Sequence, residues 1–331
     1  MLVSYCFRYG ERLGGRADVM KIGLIDVDSH NFPNIPLMKL SAWHKRNGDD
    51  VEWYNPLISG RCDRVYISKV FSFSPDFDWC IDADEIIQGG SGYAITLRDG
   101  KEIYQCERDP NLPDEIEHIF PDYSLYQIDQ TAYGFLTRGC PRNCGFCHVS
   151  QKEGTKSYKV ANLSEFWNGQ KNIVLCDPNI LACSEHIELL EQCAESGSTI
   201  ELNQGLDVRL MTDANIDVLK RIKLDHVHIA YDRIQDKSII EPRMEAFAKL
   251  TGFDRHKGNT ICYILVNFDT SIEQDIERIQ FCRSLNIAPF PMIYDKEHSD
   301  PIYRKLQRWC NNWIFWKVPT FGEYLRGYNN N

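Results

Sequence analysis

Apolar residues recur with the spacing of strands over the first third of the chain. Four short strands are predicted there, and a helix over Leu37–Lys45 separates the first two. The connections between the later strands are rich in proline and shorter than full crossover helices need. The pattern predicts an abbreviated α/β unit over residues 20–115. Its strands are predicted at Ile22–Asp28, Val51–Tyr54, Arg64–Phe71 and Glu85–Gly90.

From residue 128 the pattern changes to strands that alternate with helices. Six β/α units in series predict a barrel or partial barrel of parallel strands, with its chemistry at the C-terminal strand ends. The six strands are predicted at Ala132–Thr137, Asn172–Cys176, Thr199–Asn203, His226–Tyr231, Thr260–Val266 and Ala288–Tyr294. The helices are predicted over Ser184–Ser196 with Ser184 as N-cap, over Thr212–Ile222 with Thr212 or Asp213 as N-cap, within Asp236–Leu250 with an interruption at Pro242, and over Ser271–Leu285.

Both ends of the chain are predicted to lie outside these two series. Residues 1–19 show little pattern and are expected to be an unstructured or non-native extension before Met20. A proline-rich stretch marks a domain boundary near 110–128, and the barrel is expected to end at residue 297. Residues 298–331 combine cations with Trp309, Trp313 and Trp316. They are predicted to form a helical, aromatic tail that packs on the barrel, with stacking on nucleobases as the alternative.

Composition narrows the class of protein. The 331 residues carry a formal net charge of −10, which does not favour a nucleic-acid-binding surface, because such surfaces rely on Lys and Arg. Thirteen cysteines without a secretory signal indicate reduced thiols and a cytoplasmic location. No apolar run approaches the roughly 20 residues of a membrane span, so no membrane partner is expected.

Three cysteines stand close together after the first strand of the second series. Cys140, Cys144 and Cys147 lie in R-G-C-P-R-N-C-G-F-C, whose glycine and proline residues allow a tight bend. Iron–sulfur clusters usually take four cysteines, so three predict a cluster with one iron free to bind a substrate or cofactor. Zinc with His148 as a further ligand is the alternative, although adjacent residues rarely both reach one tetrahedral ion. The remaining cysteines of the barrel have no compact spacing and are expected to be small buried residues.

This C-x3-C-x2-C motif, with Phe146 before its last cysteine, resembles that of the radical S-adenosylmethionine (SAM) superfamily. The resemblance extends over residues 128–297. It implies an α/β fold with a partial (β/α)6 TIM-like barrel, and a [4Fe-4S] cluster on Cys140, Cys144 and Cys147 whose open iron binds SAM. It further implies reductive cleavage of SAM to methionine and a 5′-deoxyadenosyl radical, with an electron donor such as flavodoxin or ferredoxin.

Polar residues after the second and third barrel strands are candidates for contacts with SAM. Many members of the family carry an acidic segment after the second strand, so Asp177 is expected to accept a hydrogen bond from the SAM amino group. Asn203 is a further candidate. Because side chains alternate along a strand, Asn203 is expected to face the barrel interior together with Thr199 and Glu201. Gln204, Asp207 and Arg209 follow the same strand, and Arg209 is expected to clamp a carboxylate.

Weaker candidates lie after the first, fourth and fifth strands. Phe146 is expected near adenine. Asn267, Tyr231 and Asp232 are expected near ribose or substrate. His226 and His228 point the same way along the fourth strand, either toward the lumen or as structural residues.

The first unit, with Asp28, Ser29 and His30 after its first strand, resembles a shortened cobalamin-binding, flavodoxin-like domain. In the cobalamin pattern D-x-H-x-x-G a glycine stands where this chain has Pro33, and the sheltering helices are missing. Cobalamin is therefore a possible but not a favoured cofactor. A structural lid or substrate module is the favoured interpretation of this unit.

Four functions fit the sequence. The first is an enzyme that abstracts hydrogen from an unknown substrate with the deoxyadenosyl radical. The second is a cobalamin-dependent methyltransferase, and the third is a methylthiotransferase. The third needs a further three-cysteine cluster in the first unit, where only Cys62, Cys80 and Cys106 are available. The fourth is a non-catalytic metal-binding interaction module.

Overall fold

A computed structural model describes residues 19–29, 32–98, 101–252 and 260–328. The expectations for residues 1–18 and for His30 fall outside this range. The chain divides into two compact units. The first holds the described residues up to Ala94 and Glu107–Asp122, and the second holds Ile95–Cys106 and the described residues from Tyr123 onward. Residues 95–106 thus belong with the second unit, although the sequence pattern places them in the first.

The first unit contains a four-stranded parallel sheet with the order β2-β1-β3-β4. Branched apolar residues make β1 a buried strand, with the four residues from Ile22 to Ile25 inaccessible at its centre. All four predicted strands and the helix are confirmed, with small shifts of their ends. The elements are β1 (Lys21–Asp26), α1 (Ile35–Arg46), β2 (Asp50–Trp53), β3 (Cys62–Ser68), β4 (Ala83–Gly89), α2 (Ser91–Ala94) and α3 (Asp114–Glu117).

Helix α1 is the one long helix among the described residues of the first unit. The Asn34 side chain caps it by accepting from the Leu37 N–H at 3.2 Å, and a proline in its first turn fits the missing donor there. The strand order matches the first four strands of a flavodoxin-like sheet. The unit differs from that arrangement because its sheet has four strands and its later connections in the described chain lack long helices.

The second unit is built on a six-stranded parallel sheet with the order β14-β13-β12-β11-β10-β7. All six predicted strands are confirmed. The strands are β7 (Thr131–Gly134), β10 (Asn172–Leu175), β11 (Thr199–Leu206), β12 (Lys223–Ala230), β13 (Thr260–Val266) and β14 (Ala288–Ile293), and two antiparallel pairs accompany them: β5 (Ile95–Arg98) with β6 (Lys101–Tyr104), and β8 (Thr137–Arg138) with β9 (Tyr158–Lys159). The helices are α4 (Val149–Glu153), α5 (His186–Ser196), α6 (Asp213–Leu219), α7 (Lys237–Thr251), α8 (Ile272–Ser284), α9 (Pro301–Cys310), α10 (Ile314–Lys317) and α11 (Phe321–Tyr328).

The strands of this sheet follow one another in chain order, so every connection steps in the same direction. Right-handed crossovers of this kind place their helices on one face of a sheet. Side chains alternate accordingly. On β11, Ile200 and Leu202 are buried, whereas Glu201 and Asn203 on the opposite face are half-buried. This winding is the one that barrels use.

Two details of the predicted helices are wrong. Glu185 rather than Ser184 is the N-cap of α5, because the Ser184 hydroxyl donates to the Glu185 carboxylate instead of accepting from the helix. Pro242 does not interrupt α7, which runs through it. Pro242 is exposed near the start of the helix, where water can satisfy the carbonyl that loses its donor. Thr212 is the N-cap of α6, in a capping box with Asn215.

The C-terminal segment is helical and aromatic. Trp309 in α9 is fully buried, with its ring centroid 5.0 Å from that of Phe315 and 5.6 Å from that of Phe321. Trp313 points outward with 65% of its surface exposed. None of the helices in the described ranges is both long enough and apolar enough to cross a membrane.

Candidate functional site

The loop that carries the three-cysteine motif begins at the end of β8. Gly139 has φ +80°, and a Cβ on it would lie 2.2 Å from the Lys156 carbonyl oxygen, so only glycine fits. The Glu153 carboxylate, at the end of α4, accepts from the Gly139 N–H at 2.9 Å and from Arg138 at 2.8 Å. These contacts fix the loop at its entry, directly before Cys140.

The motif thiols differ from the other cysteines of the second unit in their accessibility. Cys140, Cys144 and Cys147 are half-buried, whereas the later cysteines of the unit are buried: Cys176, Cys183, Cys193, Cys262, Cys282 and Cys310. Burial, followed by the neighbouring thiol of Cys147, raises the pKa of Cys144 to about 11. The pKa of Cys147 is also raised, by burial and by Cys140. The three thiols thus share one local environment that solvent or a ligand can reach.

As placed, the described residues bring no group of three or more His, Cys, Asp or Glu side chains close enough to hold one metal ion. A polar atom beside the loop nevertheless lacks a partner. Asn179 is buried, and its Nδ2 lies 3.6 Å from the Cys140 Sγ and 3.3 Å from Asp207 Oδ2. Its Oδ1 has no hydrogen-bond partner among the described residues. An unpartnered buried oxygen is costly unless a ligand or water satisfies it.

Asp207 lies at the centre of an ion-pair network beside this loop. Its carboxylate forms two ion pairs. Nε of Arg142, a residue inside the cysteine motif, lies 2.5 Å from Asp207 Oδ2, and Nε of Arg209 lies 2.7 Å from Asp207 Oδ1. Burial acts to raise the pKa of Asp207, but these two guanidinium groups outweigh it and lower the pKa. Arg209 also pairs with Asp236 at 2.7 Å. The network ties the cysteine loop to the ends of β11 and the start of α7.

The structure gives Asp177 a structural position that the sequence does not indicate. Its carboxylate is buried and accepts from the Leu136 N–H at 3.1 Å, the Thr137 N–H at 2.5 Å and the Thr137 hydroxyl at 2.7 Å. Leu136 lies between β7 and β8 and Thr137 is the first residue of β8, so these donors belong to the segment that leads into the cysteine loop. The carboxylate therefore stabilises that segment, and its expected contact with the SAM amino group stays a prediction.

Asp232 lies two residues past β12, close enough to the cysteine loop for its charge to act there. Its Oδ1 accepts from the Leu265 N–H at 2.9 Å, and burial raises its pKa. Its charge acts on both Cys144 and Cys147. The sequence ranks Asp232 below Asp177, and alternation along the strand alone does not separate the two.

The other residues that the sequence predicts to contact SAM differ in burial. Asn203 is half-buried and Gln204 is exposed on β11, and the Asn203 carbonyl accepts from the Tyr263 hydroxyl at 3.3 Å. Asn267 has φ +64° and donates from its side chain to the Tyr294 carbonyl at 3.1 Å, so it shapes a turn. Phe146 packs edge-to-face on Phe268, with ring centroids 5.4 Å apart. The cysteine loop thus contacts the segment that follows β13.

The two histidines of β12 differ in burial and in their partners. His228 is buried and donates from its Nδ1–H to the Leu202 carbonyl at 3.1 Å, and its ring stacks on Tyr263. His226 is exposed and pairs with Asp225. In the first unit Cys62 is buried at the start of β3 and Cys80 is exposed, and Cys106, in the second unit, is also exposed.

Comparison with known proteins identifies no family by sequence. No family model matches the chain, and no curated protein matches it. Among solved structures, Streptococcus suis SuiB bound to S-adenosylmethionine is 16% identical with a TM-score of 0.38, over 56% of this chain and 44% of that one. SuiB bound to the precursor peptide SuiA is 16% identical with a TM-score of 0.40, over 57% of this chain and 46% of that one. The chain thus matches less than half the length of SuiB.

Proposed function

We propose that this chain is a radical SAM enzyme, whose second unit is a partial (β/α)6 barrel. The observation that carries the proposal is the position of the three half-buried thiols. They occupy one loop that begins at the end of β8. The charges of Arg209, which follows β11, and of Asp232, which follows β12, act on the Cys144 thiol in this loop. Parallel α/β sheets place their chemistry at this edge.

The donor set fits an iron–sulfur cluster. In the proposal Cys140, Cys144 and Cys147 each bind a different iron, so the three sulfur atoms need not converge on one ion as they would around zinc. When bound, the cluster and SAM supply the radical chemistry. The chain supplies the thiolates, holds the loop through Gly139 and Glu153, and limits the access of water to it.

The contacts with SAM are proposed from charge and burial. Asp232 and the buried Oδ1 of Asn179 are the groups best able to accept from an ammonium group, because each retains an oxygen without an identified hydrogen bond in the described chain. Arg209 is already paired with two carboxylates, so binding a third requires it to leave one of them. Asn203, Gln204, Asn267 and Phe146 remain proposed contacts at the rim.

Other parts of the proposal concern partners. We propose that a flavodoxin or ferredoxin reduces the cluster, that the protein acts in the cytoplasm, and that the first unit serves as a lid or substrate module. Cobalamin is not favoured as a cofactor, because Pro33 stands where the cobalamin pattern has a glycine and the described connections after β2 lack long helices. The methylthiotransferase is not favoured either, because Cys62, Cys80 and Cys106 do not form a second compact three-cysteine motif, so the hydrogen-abstracting enzyme is preferred.

The proposal is tested by replacing Cys144 with Ala. Removal of one of three thiolates should eliminate the brown chromophore and the formation of 5′-deoxyadenosine from SAM. The measurements are iron and sulfide content after anaerobic reconstitution, and product analysis after reduction with dithionite. Cys193→Ala, at a buried helical thiol, is the matched control and should keep both properties. A Cys144→Ala protein that still holds four irons and cleaves SAM would disprove the assignment.

A further inference from the structure

The face of the six-stranded sheet that is turned away from the helices carries a row of rings and one carboxylate. Register pairs Tyr133 on β7 with Val174 on β10, and Val174 with Glu201 on β11, so these three lie in line across the sheet. Toward the opposite edge of the sheet, Tyr263 on β13 pairs with Phe290 on β14. Because side chains alternate along strands, all of these point to the same face.

Glu201 has no cationic partner in the described chain. It is half-buried, and none of the hydrogen bonds or ion pairs identified among the described residues includes it. Its charge contributes, after burial, to the raised pKa values of Tyr133 and Tyr263, so both phenol groups lie near the carboxylate. Placing an unpaired carboxylate among rings is unfavourable unless a cation joins it.

The rest of the row is uncharged, and its margin on β14 is accessible. His228 stacks on Tyr263 with ring centroids 5.1 Å apart and an interplanar angle of 2°. Burial lowers the pKa of His228, which favours the neutral imidazole at pH 7, so this ring does not repel a cation. Phe290 and Met292 keep 41% and 37% of their surfaces exposed, and provide an apolar margin on β14.

We infer that this row binds the substrate, and that the substrate presents an ammonium or guanidinium group on an apolar body to Glu201 and the surrounding rings. The carboxylate pairs with the cation, and the neighbouring aromatic rings attract it through their quadrupoles. An anionic group at the same place would meet the Glu201 charge without compensation. The inference rests on the proposed function only in calling the ligand a substrate, because binding to the row requires neither cluster nor SAM.

The test uses the full chain and four probes: Nα-acetyl N-methylamides of arginine, lysine, norleucine and glutamate. Norleucine has the apolar chain of lysine without its charge. Calorimetric titration should show the arginine and lysine probes binding roughly tenfold or more tightly than norleucine, with no binding of the glutamate probe. Glu201→Gln should remove this preference for a cation. Glu245→Gln, at an exposed site on α7, makes the same charge change and should preserve it.

The inference is wrong if norleucine binds as tightly as lysine, if neither cation binds, or if Glu201→Gln retains the full preference. The same titrations on the Cys144→Ala protein separate the two proposals. Cation binding there, together with a failure of the unmodified chain to cleave SAM, would contradict the enzymatic proposal alone. SAM cleavage by a chain that does not discriminate among the probes would contradict this inference alone.

Discussion

Two buried carboxylates occupy equivalent positions in the two parallel sheets. Asp28 lies two residues past β1 and accepts from the N–H groups of Val70 and Phe71, both at 2.8 Å, just past the neighbouring strand β3. Asp177 lies two residues past β10 and accepts from Leu136 and Thr137, just past the neighbouring strand β7. In each sheet a carboxylate satisfies backbone donors where the adjacent strand has ended.

The two sites differ in what the stabilised segment carries. Beyond Thr137 the chain enters the cysteine loop, whereas beyond Val70 it enters a stretch where Phe71 and Phe73 stack on each other and remain exposed. An acidic residue two positions past a parallel strand is therefore a sign of backbone support at the sheet edge. It does not by itself indicate chemistry, and Asp177 shows how such a residue resembles a ligand contact in the sequence.

The largest expected effect comes from Asp177→Ala. The change leaves two backbone N–H groups and the Thr137 hydroxyl without their acceptor, and should lower the free energy of unfolding by about 3–5 kcal/mol. Iron retention after reconstitution should fall as well, because the cysteine loop loses its support. Asp28→Ala is the matched comparison and should lower stability but leave iron content unchanged. Equal iron content in the two variants would contradict the comparison. Urea denaturation and iron assays provide both measurements.

A smaller effect is expected from pH. Burial raises the pKa of Asp177 to about 6 despite hydrogen bonds that lower it, so the folded protein holds this proton more tightly than the unfolded chain. The associated stability is present below about pH 4 and is lost as the pH rises through 6, an amount of about 2–3 kcal/mol. Other carboxyl groups titrate in this range, so the quantity to compare is the free energy of unfolding of the parent minus that of Asp177→Asn, whose side chain does not titrate. Identical pH profiles of unfolding for the two proteins would show that Asp177 has an ordinary pKa.

The smallest effects distinguish two glycines of the loop. Both have positive φ, +80° at Gly139 and +93° at Gly154. A Cβ at Gly139 meets the Lys156 carbonyl oxygen, whereas a Cβ at Gly154 meets nothing within 4 Å. Gly154→Ala should cost about 1–3 kcal/mol for backbone conformation alone, because φ +93° with ψ 167° is a region nearly confined to glycine, and Gly139→Ala should cost more, with a partial loss of iron. Thermal melts and iron assays on the pair measure the difference, and equal losses would exclude the steric contribution.

The strands of both sheets, most of the helices and the three-cysteine loop could be predicted from the sequence alone. Periodicity and short motifs are local properties, so they survive without knowledge of the fold. Which polar groups already have hydrogen-bond or ion-pair partners became visible in the fold and could not be predicted. Asp177 meets donors 40 and 41 residues away, and Arg209 meets Asp236 at a separation of 27 residues. Glu201 lies on the same row as Tyr133 only because strands far apart in the chain pair in register. Whether a charged side chain is free to bind a ligand depends on such distant partners, and no local pattern records them.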